Sequence, residues 1–263
     1  MTLNHVRRGS GEPLLLIHGL GGHWQSWETI LDRLAAEREV VAVDLPGFGA
    51  TPPLPGEPTF KALTDAVEAF LGAEGLRGVD AVGTSMGARM VLELARRKAV
   101  SRVVALDPGG FWNGPERVFF GATVGASIPL LRALRDRLPA ILATAAGRSA
   151  LLAQFSAHPA RLPADVVTKE LQAFGDAPSA VPVLKSLVTG PGQEGMPASA
   201  QAGSILIVWG RQDRVCAPWQ ARRATNRFPG AELVWLDDCG HVPHWDQPDE
   251  TLRLILAHTG AEA

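Results

Sequence analysis

The chain has 263 residues and a mass of 27.9 kDa, which is enough for one α/β domain that carries an insertion. Hydrophobic residues make up 46% of the chain and charged residues 20%, so there is ample material for a packed core. A formal net charge of −2 gives no electrostatic reason to expect nucleic acid or an anionic membrane as a partner.

The sequence shows no targeting or membrane-spanning pattern. Its first apolar run covers only Leu14 to Ile17, and no small-residue cleavage site follows, unlike in a signal peptide. The longest weakly polar stretch, 118–131, ends at Arg132 and is too short to span a bilayer. Two cysteines without an export signal favour a reducing compartment and free thiols. We therefore expect a cytoplasmic protein without a membrane span, and the oligomeric state stays open.

Apolar runs alternate with stretches of helical spacing over much of the chain. Residues 3–8 are expected to form a short edge strand. Continuous apolar runs, typical of strands buried on both faces, predict six more strands: Leu14–Ile17, Val40–Val43, Val79–Val82, Val103–Leu106, Ile205–Trp209 and Glu232–Leu236. Such strand–helix units predict a mostly parallel, doubly wound α/β sheet, which places its chemistry at the carboxyl ends of the strands.

The alternation stops between residues 111 and 203. This stretch contains helical patches punctuated by Pro and Gly and no convincing buried strand. A long apolar insertion between two core strands favours a helical lid over the carboxyl edge of the sheet, with ordinary surface helices as the alternative. The predicted division is a core of residues 1–110 and 204–263 and a cap of residues 111–203.

A Gly-x-Ser-x-Gly pattern, residues 83–87, lies where the Val79 strand turns into a helix. This is the context that a nucleophile elbow requires, with Ser85 exposed at a strained apex. The glycines allow strand and helix to approach closely, and the helix start directs N–H groups and partial positive charge at the apex. Taken alone, the pattern also fits a Gly-rich turn with a spectator serine.

Asp213 and His241 follow the next two predicted strands and complete the order Ser, Asp, His. A serine hydroxyl needs a base to become a nucleophile, and an imidazole needs a carboxylate to hold its tautomer. Loops at the same ends of adjacent strands can touch, since such strands lie about 4.8 Å apart. For an oxyanion hole we expect the backbone N–H groups of Met86, after the nucleophile, and of Leu20 in the loop 18–22.

These motifs resemble the α/β-hydrolase fold superfamily, in its serine esterase and C–C-bond hydrolase branch with a helical cap. The matching segments are HGLGG at 18–22, DLPGFG at 44–49, GTSMG at 83–87, GRQD at 210–213 and CGHVPHWDQP at 239–248. The resemblance implies a Ser–His–Asp triad and a cap after the family's sixth core strand, which is where the strand pattern stops. The chain departs from the family in having room for only one strand before Leu14 and in carrying Cys216 close after the acid.

Other assignments compete at several positions. Asp107, at the end of an earlier strand, is the rival to Asp213, because some family members carry the acid there. Cys239, His241 and His244 do not have a standard metal-ligand spacing, so no metal site is expected. Phe111 and Trp112, at the base of the lid, are the expected pocket-lining aromatics.

The sequence thus predicts a cofactor-free serine hydrolase that cleaves an ester, or a similar acyl bond, of a modest apolar small molecule through an acyl-enzyme. A C–C bond hydrolase, a perhydrolase or a lyase would use the same triad, and fold does not fix function. An alternative outside catalysis is a ligand receptor with slow residual hydrolysis.

Overall fold

The computed structural model describes residues 2–201 and 203–260. It contains a seven-stranded sheet of order β1-β3-β2-β4-β5-β6-β7, in which β1 runs antiparallel to β3 and the other pairings are parallel. The strands are β1 (His5–Arg8), β2 (Pro13–Ile17), β3 (Glu39–Val43), β4 (Asp80–Thr84), β5 (Val103–Leu106), β6 (Ile205–Gly210) and β7 (Glu232–Leu236). The predicted α/β fold class is confirmed, and within the described ranges one strand precedes β2, as the short N-terminal segment suggests.

Alternate side chains of each parallel strand enter two different cores. On β2, Leu15 and Ile17 pack into one hydrophobic cluster, whereas Leu14 and Leu16 pack into another on the opposite face. Because successive side chains of a strand point to opposite faces and both faces are covered, the residues at odd and at even positions must all be apolar. This explains why the strands read as unbroken apolar runs.

Helices cover both faces of the sheet. The helices are α1 (Leu31–Ala35), α2 (Phe60–Ala73), α3 (Met86–Arg96), α4 (Gly114–Leu134), α5 (Leu138–Leu142), α6 (Ala145–Leu152), α7 (Ala164–Asp176), α8 (Ala180–Thr189), α9 (Ala221–Arg227), α10 (Pro243–Asp246) and α11 (Pro248–Thr259). Residues of α2, α3 and α9 contribute to one cluster, and residues of α1 and α11 to the other. The sheet is therefore doubly wound.

The helices α4 to α8 all lie between β5 and β6, within the stretch that interrupts the strand pattern. We call residues 111–203 the helical insertion. Within it, α4 packs against α7 and α8, and α5 packs against α6 and α7. The division of the chain into core and cap at residues 110/111 and 203/204 stays a prediction.

One helical stretch, Gly114–Leu142, is apolar and long enough to cross a bilayer by length and composition alone. It exceeds the 118–131 segment considered from sequence because α4 continues through a 3-10 turn at 135–137 into α5. In the folded chain it packs against other helices of the insertion. The expected lack of a membrane span stays a prediction.

Candidate active site

The turn between β4 and α3 holds Ser85 in an unusual backbone conformation. Its φ is 54° and its ψ is −112°, a strained combination for a residue with a side chain, and its N–H donates to the Leu106 carbonyl at 2.9 Å. A Cβ on Gly83 would come within 3.0 Å of the Gly87 backbone, and one on Gly87 within 3.0 Å of the Ile17 carbonyl. The two glycines are thus required by the close approach of strand and helix.

The structure brings Ser85, His241 and Asp213 together in one hydrogen-bonded series. The hydroxyl oxygen of Ser85 lies 2.8 Å from His241 Nε2, and His241 Nδ1 lies 2.9 Å from Asp213 Oδ2. The imidazole and carboxylate are almost fully buried. This is the geometry in which a carboxylate fixes the imidazole tautomer and leaves the other nitrogen facing the serine.

Two loops at the ends of β6 and β7 position the acid and the base. Asp213 Oδ1 accepts hydrogen bonds from the N–H groups of Val215 and Cys216 at 2.7 and 2.9 Å. The His241 N–H donates to the Phe155 carbonyl of the helical insertion at 2.8 Å. Hydrogen bonds to backbone groups of the loop after β6 and of the helical insertion therefore hold Asp213 and His241 in place.

Asp107, the alternative candidate for the acid, occupies a different position. It is fully buried, its Oδ1 accepts from the Gly210 N–H at 2.8 Å, and its Oδ2 has no hydrogen-bond partner within residues 2–201 and 203–260. Burial, followed by the negative charge of Asp213, raises the pKa of Asp107 well above its usual value. His241 bonds to Asp213 and not to Asp107, so Asp213 is the carboxylate placed to orient the imidazole.

The two expected oxyanion donors lie beside Ser85 on the cavity wall. Met86 is the first residue of α3, so its N–H has no acceptor within the helix, and Leu20 also lines the cavity. The loop that carries Leu20 is fixed by His18, whose Nδ1 bonds to the Gly19 carbonyl at 2.7 Å and whose Nε2 accepts from the Leu45 N–H at 3.0 Å. Burial lowers the pKa of His18 to about 4, so this imidazole stays neutral and rigidly bonded.

A cavity of about 100 Å³ lies between the sheet edge and the helical insertion. Its wall is mostly apolar and includes Phe120, Val124 and Phe174 of the insertion. Of the two aromatics expected there, Trp112 lines the cavity and stacks on Phe120 with ring centroids 4.7 Å apart. Phe111 does not line it: its ring is fully buried in the core and meets Phe228 edge-on at 6.4 Å.

Two charged side chains that line this cavity, Glu170 and Arg89, were not identified from sequence. Glu170 of α7 lines the wall, and its Oε1 lies 3.3 Å from Nδ1 of the buried His23. Although burial acts to lower the pKa of His23, the nearby Glu170 carboxylate outweighs it and raises that pKa. Arg89 also lines the wall, four residues after Ser85. Arg89 lies one helical turn after Ser85 and donates its backbone N–H to the Ser85 carbonyl at 3.0 Å, so this spacing of four was the available signal.

Donor atoms of Asp213, Cys216 and His241 lie within 4.8 Å of one another and could hold a metal by distance alone. However, burial and then the charge of Asp213 raise the pKa of the Cys216 thiol well above its usual value. A metal binds the thiolate, and the acid and imidazole already bond to each other. These three donors therefore fit a metal poorly.

His244, which was considered as a metal ligand from sequence, stacks on Trp27 with ring centroids 4.7 Å apart.

Comparison with known proteins places these features in a family. A sequence profile described as "Alpha/beta hydrolase family" matches residues 14–254. The chain is 31% identical to a dihydrolipoyllysine-residue acetyltransferase component of an acetoin cleaving system from Cupriavidus necator, over 99% of this chain and 67% of that protein. It is 28% identical to lipase 1 of Psychrobacter immobilis, over 92% of this chain and 75% of the lipase.

A hydrolase of Dechloromonas aromatica that is named for 2-hydroxy-6-oxononadienedioate and 2-hydroxy-6-oxononatrienedioate is also 28% identical, over 97% of this chain and 90% of that protein. Among solved structures, a thermophilic esterase from Thermogutta terrifontis superimposes with a TM-score of 0.75 at 21% identity, covering 97% of this chain and 92% of the esterase. At that identity the structural likeness concerns the fold alone.

Proposed function

The chain belongs to the alpha/beta hydrolase family, and on that premise we propose that it is a serine hydrolase that cleaves an ester, or a similar acyl bond, of a small molecule. Ser85 is the proposed nucleophile, His241 the general base and Asp213 the residue that orients the imidazole. The observation that carries the proposal is the continuous series of hydrogen bonds from Asp213 through His241 to Ser85, at 2.9 and 2.8 Å.

In the proposed reaction, His241 Nε2 takes the proton of Ser85 as the hydroxyl oxygen attacks the carbonyl carbon. The Leu20 and Met86 N–H groups stabilise the resulting oxyanion, and losing one such donor typically costs about 3 kcal/mol of transition-state stabilisation. His241 then donates its proton to the leaving group. A water molecule, activated by the same imidazole, releases the acyl group from Ser85.

The cavity supports a small substrate with substantial apolar surface. Aromatic and aliphatic side chains of the helical insertion face the catalytic groups across it, so an acyl chain can be desolvated next to Ser85. We propose that the insertion acts as a lid, that the reaction proceeds in the cytoplasm, and that it needs no cofactor, metal or nucleic acid. The same triad suits C–C bond cleavage, and the similarity to the Dechloromonas hydrolase favours that as the second candidate.

Intact-mass labelling with a fluorophosphonate, beside assays with 4-nitrophenyl esters of increasing acyl length, tests this function. We expect one adduct and turnover in the wild type, and loss of both in Ser85→Ala. Ser179→Ala, which alters a buried serine outside the cavity wall, is the matched control and should keep both. An adduct without ester turnover would favour the C–C hydrolase, a lyase or a receptor. Absence of any adduct would mean that Ser85 is not activated.

A further inference from the structure

Arg89 is a buried cation in the wall of an otherwise apolar cavity. It lies on α3 four residues after Ser85, which is about 6 Å along the helix axis, and its side chain is only 3% exposed. An arginine at such a position is rarely left without a partner of opposite charge.

The hydrogen bonds that Arg89 makes account for only part of its donors. Nη2 donates to the Pro191 carbonyl at 2.8 Å, and Cζ lies 4.0 Å from the centre of the Phe60 ring. Nε and Nη1 are buried and have no hydrogen-bond partner among the residues that the structure describes. A Cβ on Gly110 would lie 2.9 Å from Nε and 2.8 Å from Cδ, so the glycine leaves room for the guanidinium.

No carboxylate of the described residues forms an ion pair with Arg89. The acid one turn further along α3, Glu93, is bonded instead to Arg96 and Arg97. The cavity's own acid, Glu170, is paired with His23. Within the described chain, the Arg89 guanidinium is therefore offset only at a distance, by the charge of Glu93, and not by a direct ion pair.

Neighbouring arginines strengthen the positive potential at this end of the cavity. Arg117 donates to the Gly190 carbonyl at 2.9 Å, and Arg227 donates to the Gln193 carbonyl, so both are held near the same loop as Arg89. Burial, then the charge of Arg117, lowers the pKa of Arg89 to about 10, so the guanidinium is still charged at neutral pH. A buried charge without a partner is costly and favours an anion that supplies one.

We propose that Arg89 binds a carboxylate of the substrate, so that the natural substrate is an acyl compound with an anionic end remote from the bond that is cleaved. This inference rests on the proposed function and names its substrate class. Because Nε and Nη1 are buried, the Arg89 side chain would turn toward the cavity to donate them to the carboxylate, while the apolar part of the substrate lies along the cavity toward Ser85. Arg89 could also serve only to hold the loop at Pro191, but that role uses Nη2 alone and does not account for Nε and Nη1.

Two pairs of matched compounds test the proposal. Mono-4-nitrophenyl adipate and 4-nitrophenyl hexanoate are esters of equal acyl length that differ in one terminal carboxylate. Wild type should show a higher kcat/KM for the adipate monoester relative to the hexanoate, and Arg89→Gln should lower that ratio about 10- to 100-fold, the usual effect of one charge-assisted hydrogen bond. Arg89→Lys should retain part of the ratio.

Arg117→Gln is the matched control, because it removes an arginine bond to the same loop but not a residue of the cavity wall. It removes one nearby charge but no donor of Arg89, so it should change the ratio far less than Arg89→Gln does. If Arg89→Gln and Arg117→Gln reduce hydrolysis of both esters equally, Arg89 only holds the loop and the proposal is wrong. If Arg89→Gln does not fold, equal kcat/KM values for the two esters in the wild type would overturn it as well.

Calorimetric binding to Ser85→Ala separates this inference from the proposed function. Hexanoate should bind more tightly than hexanamide, and Arg89→Gln in that background should abolish the difference. If no ester is hydrolysed but hexanoate binds through Arg89, the anion site stands and the hydrolase proposal fails. If the neutral ester is hydrolysed, but neither the adipate ratio nor hexanoate binding depends on Arg89, the hydrolase proposal stands and this inference fails.

Discussion

Gly210 and Gly240 lie back to back at the ends of β6 and β7, so that a Cβ on Gly210 would come within 3.0 Å of the Gly240 carbonyl oxygen. Gly210 also donates its N–H to Asp107 Oδ1 at 2.8 Å. Asp213 follows one of these glycines and His241 the other. Their close approach therefore sets the distance across which the acid reaches the imidazole.

Gly210→Ala should separate the two loops and so disturb the Asp213–His241 pair. We expect a loss of about 1–3 kcal/mol in the free energy of unfolding from the added methyl group, and a fall in kcat of about 100-fold from misplacement of the base. Gly56→Ala, where an added Cβ meets no atom within 4 Å, should change neither quantity. Urea unfolding and ester kinetics measure both, and wild-type activity in Gly210→Ala would contradict the argument.

The two buried carboxyl groups near His241 should respond differently to conversion to amides. Asp213→Asn leaves the imidazole without its charged partner and should lower kcat about 10⁴-fold. Asp107→Asn alters a carboxyl that bonds to the Gly210 N–H and not to His241, so kcat should change less than about tenfold. Steady-state kinetics at pH 7.5 distinguish the two. The opposite order of effects would identify Asp107 as the acid.

Acid should destabilise the fold through two buried imidazoles. Burial lowers the pKa of His244 to about 3 and that of His18 to about 4, below the ordinary value of 6.5. The unfolded chain therefore binds more protons than the folded one below pH 6.5. Each residue should lower the free energy of unfolding by about 1.4 kcal/mol per pH unit as the pH falls from 6.5 toward 4.

His244→Phe should reduce that pH dependence by one residue's share while keeping an aromatic ring on Trp27. Urea unfolding of wild type and variant at pH 6.5, 5.5 and 4.5 measures the two slopes. Parallel slopes would show that His244 does not titrate between the folded and unfolded states in this range.

The ion pair between His23 and Glu170 should connect the helical insertion to the loop after Leu20 in a pH-dependent way. Because the pKa of His23 is raised in the folded state, the pair's contribution is complete below pH 6.5 and is lost as the pH rises through the folded pKa. Glu170→Gln should therefore cost about 3 kcal/mol at pH 6 and clearly less at pH 9.

Lys169→Gln is the matched control for that variant. It removes an exposed ion pair, Lys169 to Glu28 at 3.2 Å, which joins the same helix to the same part of the core. Such surface pairs contribute about 0–1 kcal/mol, so the effect should be small and similar at pH 6 and pH 9. A Glu170→Gln cost that does not change with pH would argue against a protonated His23.

Local sequence was sufficient for the fold class and for the places where chemistry concentrates. A strand buried on both faces needs apolar residues at both odd and even positions, which leaves an unbroken apolar run in the sequence. The turn after β4 needs glycines at 83 and 87, which also leaves a pattern within a few residues. The positions of Ser85, Asp213 and His241 at strand ends follow from the same short-range rules. The roles of these residues remain proposals to be tested by the variants above.

Tertiary structure decided what depends on neighbours distant in sequence. Asp107 and Asp213 have similar local contexts, and only the folded chain shows which carboxylate lies 2.9 Å from His241 Nδ1. Phe111 and Trp112 are adjacent, yet one enters the core beside Phe228 and the other the cavity wall. The free donors of Arg89 are likewise invisible in sequence, because a missing partner is a property of everything packed around a side chain rather than of the residues beside it.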